Sequence, residues 1–297
     1  MLNSTVDQGE RLRRTARPRS LQLGGGTRVS YLPDGDVRLP PRGWLPESTD
    51  EVWTEHSEYL DDTGHLVASI GALLVEHGGR ALLIDAGFGA ESLPPDAATP
   101  RGTIQGGLLL DSLAQLGRAP RDIEAVAITH LHPDHIGWAW RPAPGTDRPA
   151  FAHADYLVSE PEWAGRDELA AKHGLTEEIA GVAPYVRTVA DGQEIFPGVR
   201  MRVTAGHTAG HAEYVVTGGE RRLIAFGDAL HSPIQIDHPE WSASPDHDPA
   251  GSAEHRRRLV AELAEPRTIG FGVHFADVVF GQVRPDGAGP AWQPVDA

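Results

Sequence analysis

Four side chains that can bind a metal lie within six residues in the stretch Thr129-His130-Leu131-His132-Pro133-Asp134-His135. The apolar residues 125–129 lead into it and predict a short buried strand. His130 and His132 are two positions apart, so in extended backbone they project to the same side. Pro133 then turns the chain, which lets Asp134 and His135 point elsewhere. The stretch therefore predicts two ligands for each of two neighbouring metal ions.

Three more potential ligands follow predicted strands later in the chain. The strand predicted at 199–204 ends before His207, the strand at 221–226 ends before Asp228, and the strand at 268–273 ends at His274. Strand ends of a packed sheet meet at one edge, where loops carry functional residues on a rigid scaffold. The combined set has five histidines and two aspartates. Imidazole together with carboxylate suits zinc, manganese or iron at a two-metal site.

The composition limits which other functions are open. The chain has 297 residues, a formal net charge of −16, 15 histidines and no cysteine. This charge repels phosphate backbones, so we expect no nucleic-acid partner. Without cysteine the chain cannot form a disulfide, a thiolate zinc ligand, an iron–sulfur cluster or a thiol nucleophile. Any bound metal must therefore be held by histidine and carboxylate side chains.

The distribution of apolar and basic residues predicts how the chain is organised. Residues 1–20 contain five arginines and almost no apolar periodicity, which is typical of a flexible, solvated arm. No apolar signal segment follows them and no apolar stretch is long enough for a membrane span, so we expect a cytoplasmic protein without membrane contact. Residues 21–297 show no linker and no repeat, which favours a single domain. A homodimer remains open.

Hydrophobic patterns and turn signals predict the remaining elements. Strands are expected at 66–75, 80–85, 156–159 and 213–217, helices at 108–116, 161–172 and 249–264, and loops at 88–106 and 141–150. The first two strands form a hairpin that turns at His77-Gly78-Gly79. Asp248 followed by Pro249 is typical of a helix N-terminus. Residues 232–250 form a long loop, and such loops often contribute to binding sites.

Four motifs together resemble the metallo-β-lactamase superfamily. They are, in chain order, T-H-L-H-P-D-H at 129–135, G-H-T-A-G-H at 206–211, G-D-A-L-H at 227–231 and the strand-end residue His274. The resemblance implies an α/β fold, a four-layer αβ/βα sandwich in which two mixed β-sheets are flanked by helices. The wider stretches 69–72, 83–89 and 228–241 are similar to the branch that holds quorum-quenching lactonases and methyl-parathion-hydrolase-like enzymes.

The resemblance also implies a role for each of the seven candidate ligands. The first metal would be held by His130, His132 and His207, the second by Asp134, His135 and His274, and Asp228 would bridge both. The metals would be two divalent transition-metal ions, with zinc expected and manganese or iron as alternatives.

A site of this kind implies a dinuclear metal-dependent hydrolase. A metal-bridging hydroxide would cleave a lactone or other carboxylic ester, as in acyl-homoserine lactonases, and Asp134 would orient it and pass a proton to the leaving group. In those lactonases a tyrosine commonly follows the bridging aspartate by three residues, and here that position is His231. His231 is therefore a candidate for catalysis or for support of a ligand. The alternatives are an organophosphate (phosphotriester) hydrolase, a thioesterase or an iron-dependent oxidoreductase on the same scaffold.

Other side chains near the motifs are candidates for the substrate pocket or for support. Phe88 and Trp241 are candidate pocket residues, and Trp138 either lines the pocket or packs in the core. We expect Asp85 to hydrogen-bond the metal loop, and His211 to support a metal ligand or to have a structural role near the Gly210 turn. Eight further histidines are expected at the surface: His56, His65, His77, His153, His173, His238, His247 and His255.

Overall fold

Two mixed β-sheets form the centre of the protein, seen in a computed structural model that describes residues 8–96, 99–287 and 289–296. The strands described in the first sheet are β1 (Arg19–Gly24), β2 (Thr27–Leu39), β3 (Leu66–His77), β4 (Arg80–Ile84), β5 (Ser92–Leu93), β6 (Ile104–Gln105), β7 (Ala125–Ala127), β8 (Asp155–Ser159) and β9 (Val186–Val189). Those of the second sheet are β10 (Glu194–Phe196), β11 (Val199–Val203), β12 (Ala212–Gly218), β13 (Arg221–Ala225), β14 (Thr268–Phe271), β15 (Phe280–Asp286) and β16 (Gly289–Pro294).

The strand order shows why both sheets are mixed. The first sheet runs β5-β6-β2-β3-β4-β7-β8-β9, and β1 also pairs with β2, whereas the second runs from β10 to β16 in chain order. Parallel pairs join β4 to β7, β7 to β8 and β8 to β9 in the first sheet, and β13 to β14 in the second. The hairpin of β3 and β4 is antiparallel, as the sequence predicts.

Helices cover the outer faces of the sheets. They are α1 (Pro41–Trp44), α2 (Asp50–Glu55), α3 (Leu109–Gln115), α4 (Pro133–Trp140), α5 (Glu160–Ala164), α6 (Arg166–His173), α7 (Thr176–Val182) and α8 (Pro249–Leu263). The Asp248 side chain accepts a hydrogen bond from the backbone of Gly251 at 3.0 Å, which confirms it as the N-cap of α8. Within the described ranges, no helix is both long and apolar enough to cross a membrane.

Apolar side chains divide the molecule into four layers. Residues of both sheets, such as Leu73 and Tyr214, share the core between them. On its other face the first sheet buries Leu74 with Ile136 of α4, and α3 and α7 join the same cluster. Leu259 of α8 packs on the outer face of the second sheet. The four-layer αβ/βα sandwich predicted from the sequence is confirmed.

Several local predictions differ from the structure. The helix expected at 161–172 is two helices, α5 and α6, because Gly165 ends one and begins the next. The loop expected at 88–106 contains the short strands β5 and β6, and the loop at 232–250 contains a 3-10 turn at Pro233–Ile236. The sequence predicts no strand where β2 lies, because Pro33 and Gly35 interrupt the pattern of a regular strand. The pairing register of β2 shifts between these two residues, which accommodates the irregular sequence.

The N-terminal segment is not a solvated arm over the part that the structure describes. Leu12 and Ala16 are buried, and Arg11 is only 6% exposed. The Arg11 guanidinium donates hydrogen bonds to the carbonyl oxygen of Asp277 and to the carboxylate of Asp296. These basic residues therefore bind the C-terminal part of the chain. Residues 1–7 of the predicted arm lie outside the described residues.

The strand directions place the ends of three strands at one edge of the second sheet. β11 and β13 are both antiparallel to β12, and β14 is parallel to β13, so these three strands run in the same direction. Their C-terminal ends therefore lie at the same edge. The segments that follow them carry His207, Asp228 and His274.

Candidate metal centre

The segment between β7 and α4 carries the first ligand motif. β7 ends at Ala127 and α4 begins at Pro133, so the residues between them are irregular and can turn their side chains inward. Asp85 follows β4 with a positive φ of 62°. Its carboxylate accepts a hydrogen bond from the backbone of Thr129 at 2.8 Å and lies 2.9 Å from Nδ1 of His135. Asp85 thus holds the segment at two points, as the sequence predicts.

Three buried imidazoles converge in the first cluster, which consists of His130, His132, His207 and Asp228. Nδ1 of His132 lies 3.0 Å from Nε2 of His130 and 3.0 Å from Nε2 of His207. Nδ1 of His132 carries either one hydrogen or one lone pair. It therefore cannot form a full hydrogen bond with His130 and another with His207 at the same time. Nitrogen ligands of a tetrahedral zinc ion lie about 3.3 Å from one another. The spacing therefore fits three ligands of one metal.

The second cluster consists of Asp134, His135 and His274. The Asp134 carboxylate lies 3.8 Å from Nε2 of His135 and 3.6 Å from Nε2 of His274. Both imidazoles are buried, whereas the Asp134 side chain is 19% exposed. Asp134 is therefore the member of this cluster that solvent or a substrate can reach.

Asp228 joins the two clusters through its two carboxylate oxygens. Oδ2 lies 3.6 Å from Nε2 of His130 and 3.2 Å from Nε2 of His207. Oδ1 lies 3.0 Å from Nε2 of both His135 and His274. Because each oxygen faces the imidazoles of a different cluster, the arrangement is consistent with a dinuclear metal site.

Unpartnered buried atoms support the same conclusion. Oδ1 of Asp228 and Nε2 of His135 are buried, and within the described part of the chain neither forms a hydrogen bond of good geometry. Buried polar atoms without partners are rare because each leaves a desolvation penalty uncompensated. Two bound divalent cations would satisfy these atoms, so the residues present fit the metals that the motif implies.

The protonation of the ligands follows from burial and from the neighbouring carboxylates. Burial lowers the pKa of both His130 and His132 well below the ordinary value, so these imidazoles are neutral. Burial also opposes a charge on His207, but Asp228 and Asp246 outweigh it and raise the pKa of His207 to about 9. Ligands must lose their protons to bind a metal, so metal binding at this histidine releases a proton.

The noncoordinating ring atoms of two ligands are also fixed. Nδ1 of His207 lies 2.8 Å from the buried carboxylate of Asp246. Nδ1 of His274 lies 2.8 Å from the backbone oxygen of Ser69. Such partners set the tautomer and the ring orientation, so that Nε2 faces the metal. His211 supports the centre, as the sequence predicts, because its Nε2 accepts a hydrogen bond from the backbone of Asp228 at 3.1 Å.

His231 is buried beside Asp228, the carboxylate that faces both clusters. Its Nε2 lies 3.2 Å from Oδ2 of Asp228, and its backbone N–H donates to the Gln235 side chain at 2.7 Å. Burial lowers the pKa of the His231 imidazole below its ordinary value, so the ring is neutral. The ring of Trp44 packs edge-on against it, with ring centroids 5.2 Å apart. His231 also lines a cavity that borders both clusters.

A cavity of about 650 Å³ borders both clusters. Phe88 lines it, as the sequence predicts, and Ser244 and Pro245 show that the loop at 232–250 forms part of its wall. Residues of both clusters line it, among them Asp134, Asp228 and His274. The rest of the lining is mixed: it includes the apolar residues Val37, Leu39, Ala68, Leu93, Ile104 and Leu175 and the charged residues Asp96, Arg101, Arg141, Lys172 and Glu178. A small organic molecule in this cavity can therefore reach both clusters.

Two tryptophans predicted near the pocket lie elsewhere. Trp138 is 1% exposed and packs in the core under the first sheet, where its Nε1 donates to Asp34 at 2.9 Å. Trp241 does not line the cavity; it stacks on His238 and packs near Trp53. Of the two alternatives for Trp138, the core position is the one observed, whereas the pocket prediction for Trp241 is wrong. The orientation of each side chain depends on partners that are distant in sequence.

One histidine expected at the surface is buried. His255 has Nε2 3.4 Å from the carboxylate of Glu213, and no local pattern indicates this position because it arises from the packing of α8 against the second sheet. His173 is exposed, as the sequence predicts, and it also lines the cavity, with its ring centroid 5.1 Å from that of His132.

Comparison with known proteins agrees with this geometry. The model of the metallo-beta-lactamase superfamily matches residues 69–272. The chain belongs to this superfamily. A curated relative within it is metallo-beta-lactamase domain-containing protein 1 of Xenopus laevis, 29% identical over 176 residues. That alignment covers 59% of this chain and 65% of the relative, so the chain spans less than two thirds of the relative's length.

Solved structures of the superfamily share the whole fold. AidC, a dizinc quorum-quenching lactonase, has a TM-score of 0.80 at 21% identity, covering 96% of this chain and 99% of AidC. The hydrolase AbOPH has a TM-score of 0.77 at 24% identity, with the same coverage. At this level of identity the likeness shows the fold alone. Within this superfamily fold, the two His/Asp clusters are consistent with a dinuclear metal site.

Proposed function

We propose that this protein is a dinuclear metal hydrolase that opens lactones or other carboxylic esters. The observation that carries the proposal is that the two clusters line one cavity, about 650 Å³ in volume, whose wall also includes apolar side chains. We assign His130, His132 and His207 to the first metal, Asp134, His135 and His274 to the second, and Asp228 to both. The dizinc lactonase of the same fold supports zinc as the metal and a lactone as the substrate.

The residues around the metals have distinct tasks in this reaction. When bound, two divalent metals supply an activated water as the nucleophile and polarise the oxygen of the bond to be cleaved. The partly exposed carboxylate of Asp134 faces the cavity and can carry a proton to the leaving group. The neutral imidazole of His231 lines the cavity with Nε2 3.2 Å from Asp228, and the N–H at this nitrogen can donate to a substrate oxygen that lies beside the same carboxylate.

A phosphotriesterase activity is the second candidate. The observation that favours it is His231, which occupies the place where acyl-homoserine lactonases commonly carry a tyrosine. The hydrolase AbOPH is a further superfamily member of the same fold. The two candidate activities can be distinguished by comparing the kcat/KM of the protein for an acyl-homoserine lactone, an aryl ester and an aryl phosphotriester.

The direct test combines metal content with turnover. We expect about two transition-metal ions per chain, measured by mass spectrometry of the purified protein. The variant His132→Ala should lose metal from the first cluster and reduce kcat/KM for the best substrate by at least about a hundredfold. The matched control is His77→Ala, at the hairpin of β3 and β4. This variant should keep the wild-type metal content and the wild-type kcat/KM. A protein without transition metal, or full activity in His132→Ala, would overturn the proposal.

A further inference from the structure

We propose that the preferred substrates carry a carboxylate, which the ammonium of Lys172 binds at the side of the cavity formed by α6. This proposal rests on the proposed hydrolytic function and defines its substrate class. Lys172 and the next residue, His173, both line the cavity together with the ligands His132 and His207. Because the His173 ring lies 5.1 Å from the His132 ring, this end of α6 is directly beside the first cluster.

Lys172 is an exception in the composition of the chain. Of the 26 basic residues it is the only lysine, and the other 25 are arginines. The two side chains differ physically, because lysine presents a compact ammonium on a flexible stem, whereas arginine presents a rigid planar fork. The only compact, mobile cation of the protein therefore lies at the cavity that borders the metal clusters.

The other cations of the cavity are already engaged. Arg141 forms an ion pair with Glu91, and its guanidinium lies over the rings of Phe88 and Trp140. Arg101 donates to the backbone oxygens of Pro94 and Gly102 at 3.0 and 3.1 Å. Both guanidinium groups therefore already have acceptors within the protein, which makes Lys172 the candidate for binding a ligand.

Lys172 has no carboxylate partner in the part of the chain that the structure describes. The protein has 42 acidic residues, and Glu178 of α7 lines the same cavity, yet no ion pair joins Lys172 to any of the described carboxylates. An unpaired ammonium beside a cavity can bind an anion without first breaking an internal ion pair. The apolar lining of the cavity accommodates the rest of such a substrate.

The test compares two esters with the same acyl length. Para-nitrophenyl hexanoate is neutral, whereas the mono-para-nitrophenyl ester of adipic acid ends in a carboxylate. In Lys172→Gln we expect the ratio of kcat/KM for the anionic ester to that for the neutral ester to fall about tenfold. Lys172→Arg keeps the charge and should retain most of the ratio. The control Arg121→Gln removes one positive charge from an exposed position that does not line the cavity and should leave the ratio unchanged.

A binding measurement keeps this inference separate from the proposed hydrolysis. Calorimetric titration of the metal-loaded protein with adipate and with hexanoate should show tighter binding of adipate, and Lys172→Gln should remove that difference. The role of Lys172 would be overturned if the ratio of kcat/KM were the same in wild type and Lys172→Gln and if each protein bound adipate and hexanoate equally. Equal loss in Arg121→Gln would also overturn it, because the effect would then come from the overall charge. Failure to hydrolyse either ester would instead contradict the proposed function, while the calorimetry would still decide the role of Lys172.

Discussion

A buried ion pair orients one metal ligand from its far side. Oδ1 of Asp246 lies 2.8 Å from Nδ1 of His207, and Oδ2 accepts a hydrogen bond from Arg256 at 3.1 Å. Arg256 is fully buried and also donates to the backbone of Pro239 and to the Ser242 hydroxyl. Taking these charges out of water costs more than a well-packed apolar pair would. We therefore attribute the ion pair to the positioning of His207.

The variant Asp246→Asn tests this positioning role. An amide retains the shape of the side chain but removes the charge that holds the His207 tautomer and pairs with Arg256. We expect metal affinity to weaken by about tenfold to a hundredfold, measured by competition with a chelator. The control Asp248→Asn, two residues further on, should keep wild-type affinity because asparagine caps a helix as well as aspartate does. Wild-type affinity in Asp246→Asn would contradict the assignment.

Single residues could be predicted from the sequence where a short motif specifies the chemistry. The four candidate ligands between His130 and His135 belong to one stretch, and the others follow predicted strands. Asp246 could not be found in this way, because it faces a histidine that is 39 positions away. Trp138 was ambiguous for the same reason, since its partner Asp34 lies 104 positions away.

At the level of elements, helix α5 joins the two segments that carry the first cluster. One oxygen of Glu162 accepts a hydrogen bond from the backbone of Leu131 at 2.9 Å. The other accepts from the Thr208 hydroxyl at 2.6 Å and from the backbone of Gly210 at 3.1 Å. A side chain at Gly210 would clash with the α5 backbone, so glycine permits this close approach. Glu162 thus sets the distance between the segments that carry His130 and His207.

We expect Glu162→Gln to lower the free energy of unfolding by about 1–3 kcal/mol. The amide group of glutamine can accept at only one of its two positions, so at least one donor among the three loses its partner. Denaturant titration measures the change, and metal analysis should show weaker occupancy of the first cluster. The matched control is Glu160→Gln, at an exposed position on the same helix. It should change neither the free energy of unfolding nor the metal occupancy of the first cluster. Equal stability of both variants would show that Glu162 does not join the segments.

Strand β2 shows why part of the fold could not be predicted. Its middle contains Pro33, Asp34 and Gly35, which are unfavourable in a regular strand. In the structure this irregularity turns Asp34 inward, where it accepts hydrogen bonds from four backbone N–H groups, those of Phe88, Gly89, Gly107 and Leu109. These donors shape the loops at one side of the cavity. Only the folded chain brings them together, so no local pattern could indicate the strand.

Over the whole molecule, the N-terminal segment connects the two sheets to the second cluster. The carboxylate of Asp277, three residues after the ligand His274, forms ion pairs with Arg14 and Arg19. The backbone N–H of Ala16 donates to the Ser69 hydroxyl, and the backbone oxygen of Ser69 faces Nδ1 of His274. The first described residues of the chain are therefore tied to a ligand near its other end. A pattern of arginines without apolar periodicity cannot reveal this, because the partners are more than 250 residues away.

The double variant Arg14→Gln and Arg19→Gln should lower stability in a pH-dependent way. Burial opposes ionisation of Asp277, but hydrogen bonds from the Arg17 backbone, Arg14 and Arg19 hold its pKa below the ordinary value. A carboxyl group with a lowered folded-state pKa stabilises the protein above its unfolded-state pKa of about 3.9, and this stabilisation is lost as the pH falls through the folded-state pKa. The difference in unfolding free energy between wild type and the variant should therefore be largest near neutral pH and shrink under acid conditions.

Denaturant titrations at several pH values measure this difference, with Arg13→Gln as the control. Arg13 belongs to the same segment but donates to the backbone oxygens of Ser57 and Glu58, so its removal should not follow the titration of Asp277. Because the ion pairs hold the backbone beside His274, the double variant should also bind its second metal more weakly, whereas Arg13→Gln should not. If the double variant lost the same unfolding free energy at every pH, or lost no more than Arg13→Gln, the segment would stabilise the fold through its apolar residues and not through Asp277.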